Sequence, residues 1–331
     1  MRRHKKLFAM FLSMQNISIS INNFVLQWLA EVGTLRYVYA SLILALYIIT
    51  VFLCSLIVYV TWREENLHEP MFIFISSLVL NVMFGSSAFY PKLFVDLMLK
   101  CSTISLPGCL FQGFCLQSYA SAEIFTFTAM AFDRYLAVGH PLRYPTLMMN
   151  VTSLKLILAI WVFVLVTKTV SIILTARLTF CSENIDNVYC EAFSLQRLAC
   201  DDITFNSIYG STMTFLMIIG CLLVIIFSYI RTILICTKLS REASQKATQT
   251  LVTHVVAFST FMAGSMFVTF RYRFNTGSLS TTAQTIITLS GITSSLTLNP
   301  LIYGIGTQII RDKIVRNLQK CWENCKYKLC L

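Results

Sequence analysis

The sequence predicts an all-α membrane protein: a seven-transmembrane helix bundle with its N-terminus outside and a short amphipathic eighth helix on the cytoplasmic side. Three observations carry that prediction. Of 331 residues, 56% are hydrophobic and only 12% charged, about half the charged share of a soluble globular protein, so there is too little polar surface to wrap a water-facing domain. Seven apolar runs follow one another at 37–60, 71–95, 109–136, 154–174, 204–235, 247–270 and 281–303, each long enough to cross about 30 Å of hydrocarbon. The basic residues are unevenly placed between these runs, which sets the direction of insertion.

An odd number of crossings puts the two ends on opposite sides. With the N-terminus outside, the cytoplasmic side receives Arg63, Arg134, Arg143, Lys155, Arg231, Lys238, Arg241 and Lys246, then a basic tail from Arg311 to Lys328. The outer side receives fewer, chiefly Arg36, Lys92, Lys100, Lys168, Arg177, Arg197, Arg271 and Arg273. The positive-inside rule therefore favours this orientation. The net charge of +11 is read as topology, because no basic face with interleaved aromatics lies outside the apolar runs and no nucleic acid partner is expected. The chain divides into an extracellular N-terminal segment, 1–36, a seven-helix transmembrane domain, 37–303, and a cytoplasmic amphipathic helix with a basic, cysteine-containing tail, 304–331.

The opening MRRHKKLFAMFLSM reads either as the charged and apolar regions of a signal peptide or as residues ahead of a second start at Met14. Retained, its Arg2, Arg3, Lys5 and Lys6 argue against the outward orientation. Asn16-Ile17-Ser18 is an N-glycosylation acceptor when this end faces outward.

Several runs carry scattered Ser, Thr, Asn and Gly, as expected of helices that pack on helices. The third contains one acid, Glu123, and no base until it ends in Asp133, Arg134 and Tyr135. Charges are costly at membrane depth, so Arg134 belongs where the helix meets water. An adjacent acid and base there neutralise one another until the arginine is offered a better partner, which is the chemistry of a latch. A helix advances about 100° per residue, so Leu116, Ala120, Glu123, Phe127 and Arg134 share one stripe. An ionisable residue on such a stripe is a functional candidate, against the alternative of a hydrogen-bonded structural glutamate.

In the sixth run Lys246, Thr250, His254, Phe258, Phe261 and Ser265 share a face that is basic near the cytoplasm and mixed above. His254 is assigned to a moving interface. In the seventh, Asn299-Pro300 interrupts helical hydrogen bonding one turn before Tyr303. Ile309, Ile310, Ile314 and Leu318 then alternate with Arg311, Lys313, Arg316 and Lys320, a pattern suited to anionic lipid. Cys321, Cys325 and Cys330 are either palmitoylation sites or unmodified thiols.

Cys109 opens the third run, and Cys181, Cys190 and Cys200 crowd the longest outward loop. Thiols facing an oxidising lumen tend to pair, but more than one pairing connects these and the residues alone do not choose. The spacings contain no CxxC and no nearby histidine, which disfavours a metal site.

Motifs occur in order along the runs: LHEPMF (67–72), FYPK (89–92), MAFDRYLAVGHPLRY (130–144), SYI (228–230), KATQTLVTH (246–254) and LNPLIYG (298–304). Together they resemble the vertebrate odorant receptors, most of all those of fish, within the rhodopsin-like G protein-coupled class. The resemblance implies disulfides Cys109–Cys190 and Cys181–Cys200. It also implies a switch of Asp133, Arg134, Tyr135, Tyr229, His254, Asn299, Pro300 and Tyr303, in which the sixth helix swings outward and Tyr229 and Tyr303 support the freed arginine. The implied partners are a small-molecule odorant, a heterotrimeric G protein of the stimulatory, olfactory type and membrane lipids, and the implied location is the plasma membrane of olfactory cilia. Position on the inward faces of the outer halves selects Leu116, Gln117, Ala120, Met213, Met217, Phe261, Met262 and Ser265 for the ligand pocket. No enzymatic activity is expected, and no cofactor apart from an ion. The class often holds sodium between an acid of the second helix and the third; that acid falls on Val82 here, beside Asn81, and Cys54 replaces an asparagine of the first. This puts the ion site in question and leaves Glu123 as the carboxylate to serve it.

The other classes fare worse. A transporter would favour repeated halves, and none are seen. An intramembrane enzyme needs clustered catalytic groups, and the four histidines are scattered. A rhodopsin-like receptor for a small metabolite is the nearest alternative.

Overall fold

The computed structural model describes residues 23–26, 28, 35–238, 240–270 and 281–329. Asn16, Arg271, Arg273 and Cys330 lie outside them, as do the side chains of Lys246, Thr250, Leu318, Lys320, Cys321 and Cys325. Seven long helices run through the described residues: α1 (Arg36–Arg63), α2 (Pro70–Leu99), α3 (Leu106–Gly139), α4 (Asn150–Ala176), α5 (Thr204–Cys236), α6 (Arg241–Phe270) and α7 (Thr281–Gly306), followed by α8 (Gln308–Leu329). They form a seven-helix bundle.

Among the described residues, α1, α2, α4, α5 and α7 are long and apolar enough by composition to cross a membrane, and α6 carries a shorter apolar stretch, Leu251–Met266. α3 falls below that standard for a physical reason. It sits in the middle of the bundle, with Gln112, Ser118, Ser121, Glu123, Thr126 and Asp133 all buried, so its polar side chains meet other helices instead of lipid. α4 is the opposite case, apolar almost all round and buried only at Ser153, Val164 and Thr175.

Local chemistry sets the helix ends. Pro70 supplies the first turn of α2, and Glu69 before it is extended (ψ 155°), the conformation a following proline imposes. Pro91 lies inside α2, so the motif expected near the outer end of this span is followed by two further turns. Gln112 Nε2 of α3 donates to Ala88 O at 3.1 Å, one turn before that proline. Ser105 caps α3 by accepting from Gly108 N at 3.3 Å. α6 begins at Arg241, six residues before its apolar run, so the sixth helix projects beyond the hydrocarbon on its cytoplasmic side.

The outer face carries structure that hydrophobic periodicity does not predict. β1 (Asn23–Leu26) lies between β2 (Thr103–Ser105), antiparallel to it, and β3 (Asn184–Ile185), parallel to it. Phe24 is fully buried and meets Phe180 edge-on at 5.3 Å. Cys109 and Cys190 are joined with Cα atoms 5.2 Å apart, and Cys181 and Cys200 with Cα atoms 5.4 Å apart. The first bond ties the long loop to the top of α3 and the second closes the loop on itself. Below, Lys313 of α8 pairs with Glu64 at the end of α1, and Ile310 is fully buried while Ile309 faces out.

α6 and α7 come into close contact at a pair of glycines, Gly264 and Gly291. A Cβ on Gly264 would lie 2.5 Å from Gly291 O, so the backbones touch, in the manner of small-residue contacts between membrane helices. Gly264→Ala is therefore expected to force the helices apart and cost about 1–3 kcal/mol, the usual range for overpacking. A thermal midpoint unchanged from wild type in purified receptor would contradict that close approach.

Candidate functional site

Three sites lie along the axis of the bundle. The outermost is a cavity of about 530 Å³ between α3, α4, α5, α6 and the long outer loop. Of the residues expected to line a pocket, Gln117, Ala120, Met213, Met217, Phe261, Met262 and Ser265 line this one. Leu116 does not; it faces a neighbouring cavity of about 180 Å³, which shares Gln117, Ala120 and Ser265 and reaches α7 at Gly291 and Ser295.

Other lining residues were missed from the sequence: Thr167, Lys168 and Ser171 of α4, Asn206 and Tyr209 of α5, and Glu191 and Gln196 of the outer loop. Lys168, counted above with the outer-side charges, lies eight residues inside the end of α4. A signal for it exists. Lys168, Ser171 and Thr175 recur at helical spacing in line with the buried Val164, so three polar positions of an otherwise apolar helix share one face. Two hydrogen bonds join α5 to α4 beside the cavity, Asn206 Nδ2 to Leu174 O at 3.0 Å and Tyr209 OH to Thr167 O at 3.2 Å. The floor is aromatic: Phe127 of α3 lies 5.7 Å, centroid to centroid, from both Phe258 and Phe261 of α6.

The middle site is built on Glu123. Its carboxylate is fully buried and accepts from Asn81 Nδ2 of α2 and Asn299 Nδ2 of α7, each at 2.6 Å. Asn81 Nδ2 also donates to Tyr119 O at 3.0 Å, and Tyr119 OH and Ser295 Oγ share a hydrogen bond of 2.8 Å. Three helices thus meet on one acid. The Oδ1 atoms of Asn81 and Asn299 are buried and have no hydrogen-bond partner among the described residues. A carboxylate with two spare amide oxygens is a donor set that suits a hard cation, which takes oxygen ligands. Val82, where the class carries its acid, is itself fully buried, and the adjacent Asn81 occupies the polar role.

The innermost site is the closed latch. Arg134 donates to Asp133 Oδ2 from Nε at 3.0 Å and from Nη2 at 2.5 Å, and Tyr144 OH donates to Asp133 Oδ1 at 2.8 Å. Asp133 is fully buried and Arg134 only partly so. Burial, and after it the facing Asp133 carboxylate, pushes the Tyr144 hydroxyl pKa up, so it remains a donor at neutral pH. Tyr135 points elsewhere, against Phe227 of α5 and His140. On the far side His254 Nδ1 and Tyr303 OH are 3.1 Å apart, both buried, fastening α6 to α7. Tyr229 packs against the core without entering the latch, and Pro300 lies inside α7 one residue beyond Asn299. Among the described residues no group of His, Cys, Asp and Glu is placed to hold a transition metal.

A seven-helix bundle with a cavity on one side, a closed arginine pair on the other and a polar clamp between them has the form of a rhodopsin-like G protein-coupled receptor. The fold agrees: squid rhodopsin superposes with a TM-score of 0.67 at 18% identity, covering 88% of each chain. The olfactory receptor family model matches residues 43–321. Human olfactory receptor 6N1 is 32% identical over 285 residues, 84% of this chain and 89% of that protein. Human olfactory receptor 51E1 is 31% identical over 90% of this chain and 93% of its own length, and mouse olfactory receptor 5AP2 is 29% identical over 90% and 94%. The chain belongs to the olfactory receptor family, and is a multi-pass membrane protein of a non-enzymatic class that takes small molecules and couples to G proteins.

Proposed function

We propose that this chain detects a small odorant in the cavity between α3, α4, α5 and α6 and activates a stimulatory, olfactory-type G protein that raises cyclic AMP, acting at the plasma membrane of olfactory cilia. The observation that carries this reading is the vertical order of the three sites. Phe261 belongs both to the cavity wall and to the aromatic floor with Phe127, and Phe127 precedes Arg134 by seven residues, two turns of the same helix. A ligand that shifts Phe261 therefore acts on Phe127, in the same helix that carries the latch two turns further on. Methionines at 213, 217 and 262 give the walls an adaptable apolar surface, suited to small, partly apolar molecules.

The test is a screen of volatile acids, alcohols, amines and amino acids on surface-expressed receptor, followed by Gln117→Ala and Ser265→Trp. Both substitutions are expected to shift the potency of an activating ligand by about tenfold or more, equivalent to about 1.4 kcal/mol. Unchanged responses to every activating ligand would remove the cavity from the mechanism.

The Glu123 clamp is proposed to bind sodium in the resting receptor, with Asn81 and Asn299 supplying amide oxygens. Sodium chloride in place of choline chloride is expected to raise the thermal midpoint of the wild type, but not of Glu123→Gln. Equal midpoints in the two salts for the wild type would leave the clamp a purely structural contact.

A further inference from the structure

The wall of the large cavity carries a cation that the switch does not use. Lys168 stands on the face of α4 that turns toward the bundle, between Val164 and Thr175, both fully buried, whereas Leu165 and Val166 are exposed on the lipid side. The side chain lines the cavity and has no hydrogen bond or ion pair among the described residues. Glu191, the other charged residue of that wall, is engaged already: its carboxylate accepts from Asn187 Nδ2 at 3.3 Å, Tyr189 OH at 3.1 Å and Ser194 Oγ at 2.9 Å. An ammonium held in a largely apolar cavity without an ion-pair partner is costly, and an entering anion relieves that cost where a neutral molecule does not.

We propose that the ligands this receptor prefers carry a carboxylate, seated on Lys168 Nζ, with the apolar tail lying among Met213, Met217, Phe261 and Met262. The inference rests on the odorant-receptor reading and narrows its ligand class. Gln117 and Ser171 line the same cavity and supply donors for the second carboxylate oxygen. Lysine acts here as a point charge on a flexible stem, which fits a pocket that selects for a head group while tolerating varied tails. A ligand amine would instead have to displace the three donors that already occupy Glu191.

The experiment uses the full-length receptor in nanodiscs, with hexanoate, 1-hexanol and hexylamine as probes. Binding is followed by saturation-transfer NMR against empty nanodiscs, and coupling by nucleotide exchange on added G protein. Hexanoate is expected to bind the wild type at least about tenfold more tightly than hexanol or hexylamine. Lys168→Gln should abolish that preference and Lys168→Arg should retain it, with thermal midpoints confirming that both variants are folded. Hexanol or hexylamine binding as tightly as hexanoate, a preference for hexanoate that survives in Lys168→Gln, or no binding of any probe to folded wild type would each overturn the assignment. Two results separate it from the reading beneath it. Exchange driven equally by all three probes sinks the carboxylate class and leaves the receptor reading standing, whereas Lys168-dependent hexanoate binding with no exchange supports the site and counts against signalling from this cavity.

Discussion

Receptor carrying Arg134→Ala is expected to reach the cell surface and bind ligand but drive no nucleotide exchange, whereas Asp133→Asn should raise exchange in the absence of ligand. The two results follow from one geometry. Asp133 is fully buried and held from both sides, by two donors of Arg134 and by Tyr144 OH. Charge-assisted hydrogen bonds of this kind are worth about 1.5–3 kcal/mol each, enough to bias a two-state equilibrium strongly toward the closed arrangement. Removing the charge of Asp133 weakens that bias, while removing Arg134 takes away the arginine that the open arrangement is expected to free. Ligand acts on the same equilibrium only through its preference for the open state. Surface density must be measured alongside, because a motif needed only for folding would lower both quantities together. Normal ligand-driven exchange by Arg134→Ala receptor at the surface would sink the mechanism.

Glu123→Ala is expected to be among the most destabilising single substitutions in the bundle. It leaves the amide groups of Asn81 and Asn299 facing a fully buried void, and each unsatisfied buried donor costs about 1–3 kcal/mol, to which the cavity adds. The loss should appear as a fall in thermal midpoint and in surface expression. Glu123→Gln keeps the volume and one acceptor, so it should fall between alanine and wild type. If Glu123→Ala purified with the wild-type midpoint, the clamp would contribute nothing to holding α2, α3 and α7 together.

Much of this was legible in the residues. Apolar runs bounded by basic clusters mark the helices because every backbone group in hydrocarbon must be satisfied internally, and for a chain without barrel-like alternation that means α-helix. Asp133 beside Arg134 at the end of an apolar run reads as a pair because adjacent opposite charges at a water boundary have no cheaper partner. Three- and four-residue spacing on α6 placed Phe258, Phe261 and Ser265 on one face, and those side chains do turn toward the bundle. The wrong emphasis fell on α4. Most of its side chains are apolar, and lipid and a helix-packed interior reward the same side chains; only the spacing of Lys168, Ser171 and Thr175 marks the side that meets protein, and counting Lys168 as a topology charge overlooks that it lines the cavity.

The sequence by itself therefore determined the number of spans, their direction, the latch at the foot of α3 and, through its resemblance to a family, the partners of its outer cysteines. The tertiary structure alone decided what meets across the bundle. Asn81 and Asn299 converge on Glu123 from 42 residues before it and 176 after it, and Asn23–Leu26 closes as a strand between segments remote from it in sequence, its nearest partners being Val25 and Thr103. Helical periodicity reports which side chains share a face of their own helix. Which neighbour that face meets depends on packing between segments remote in sequence, where contacts form only after the helices assemble, and no local pattern records them.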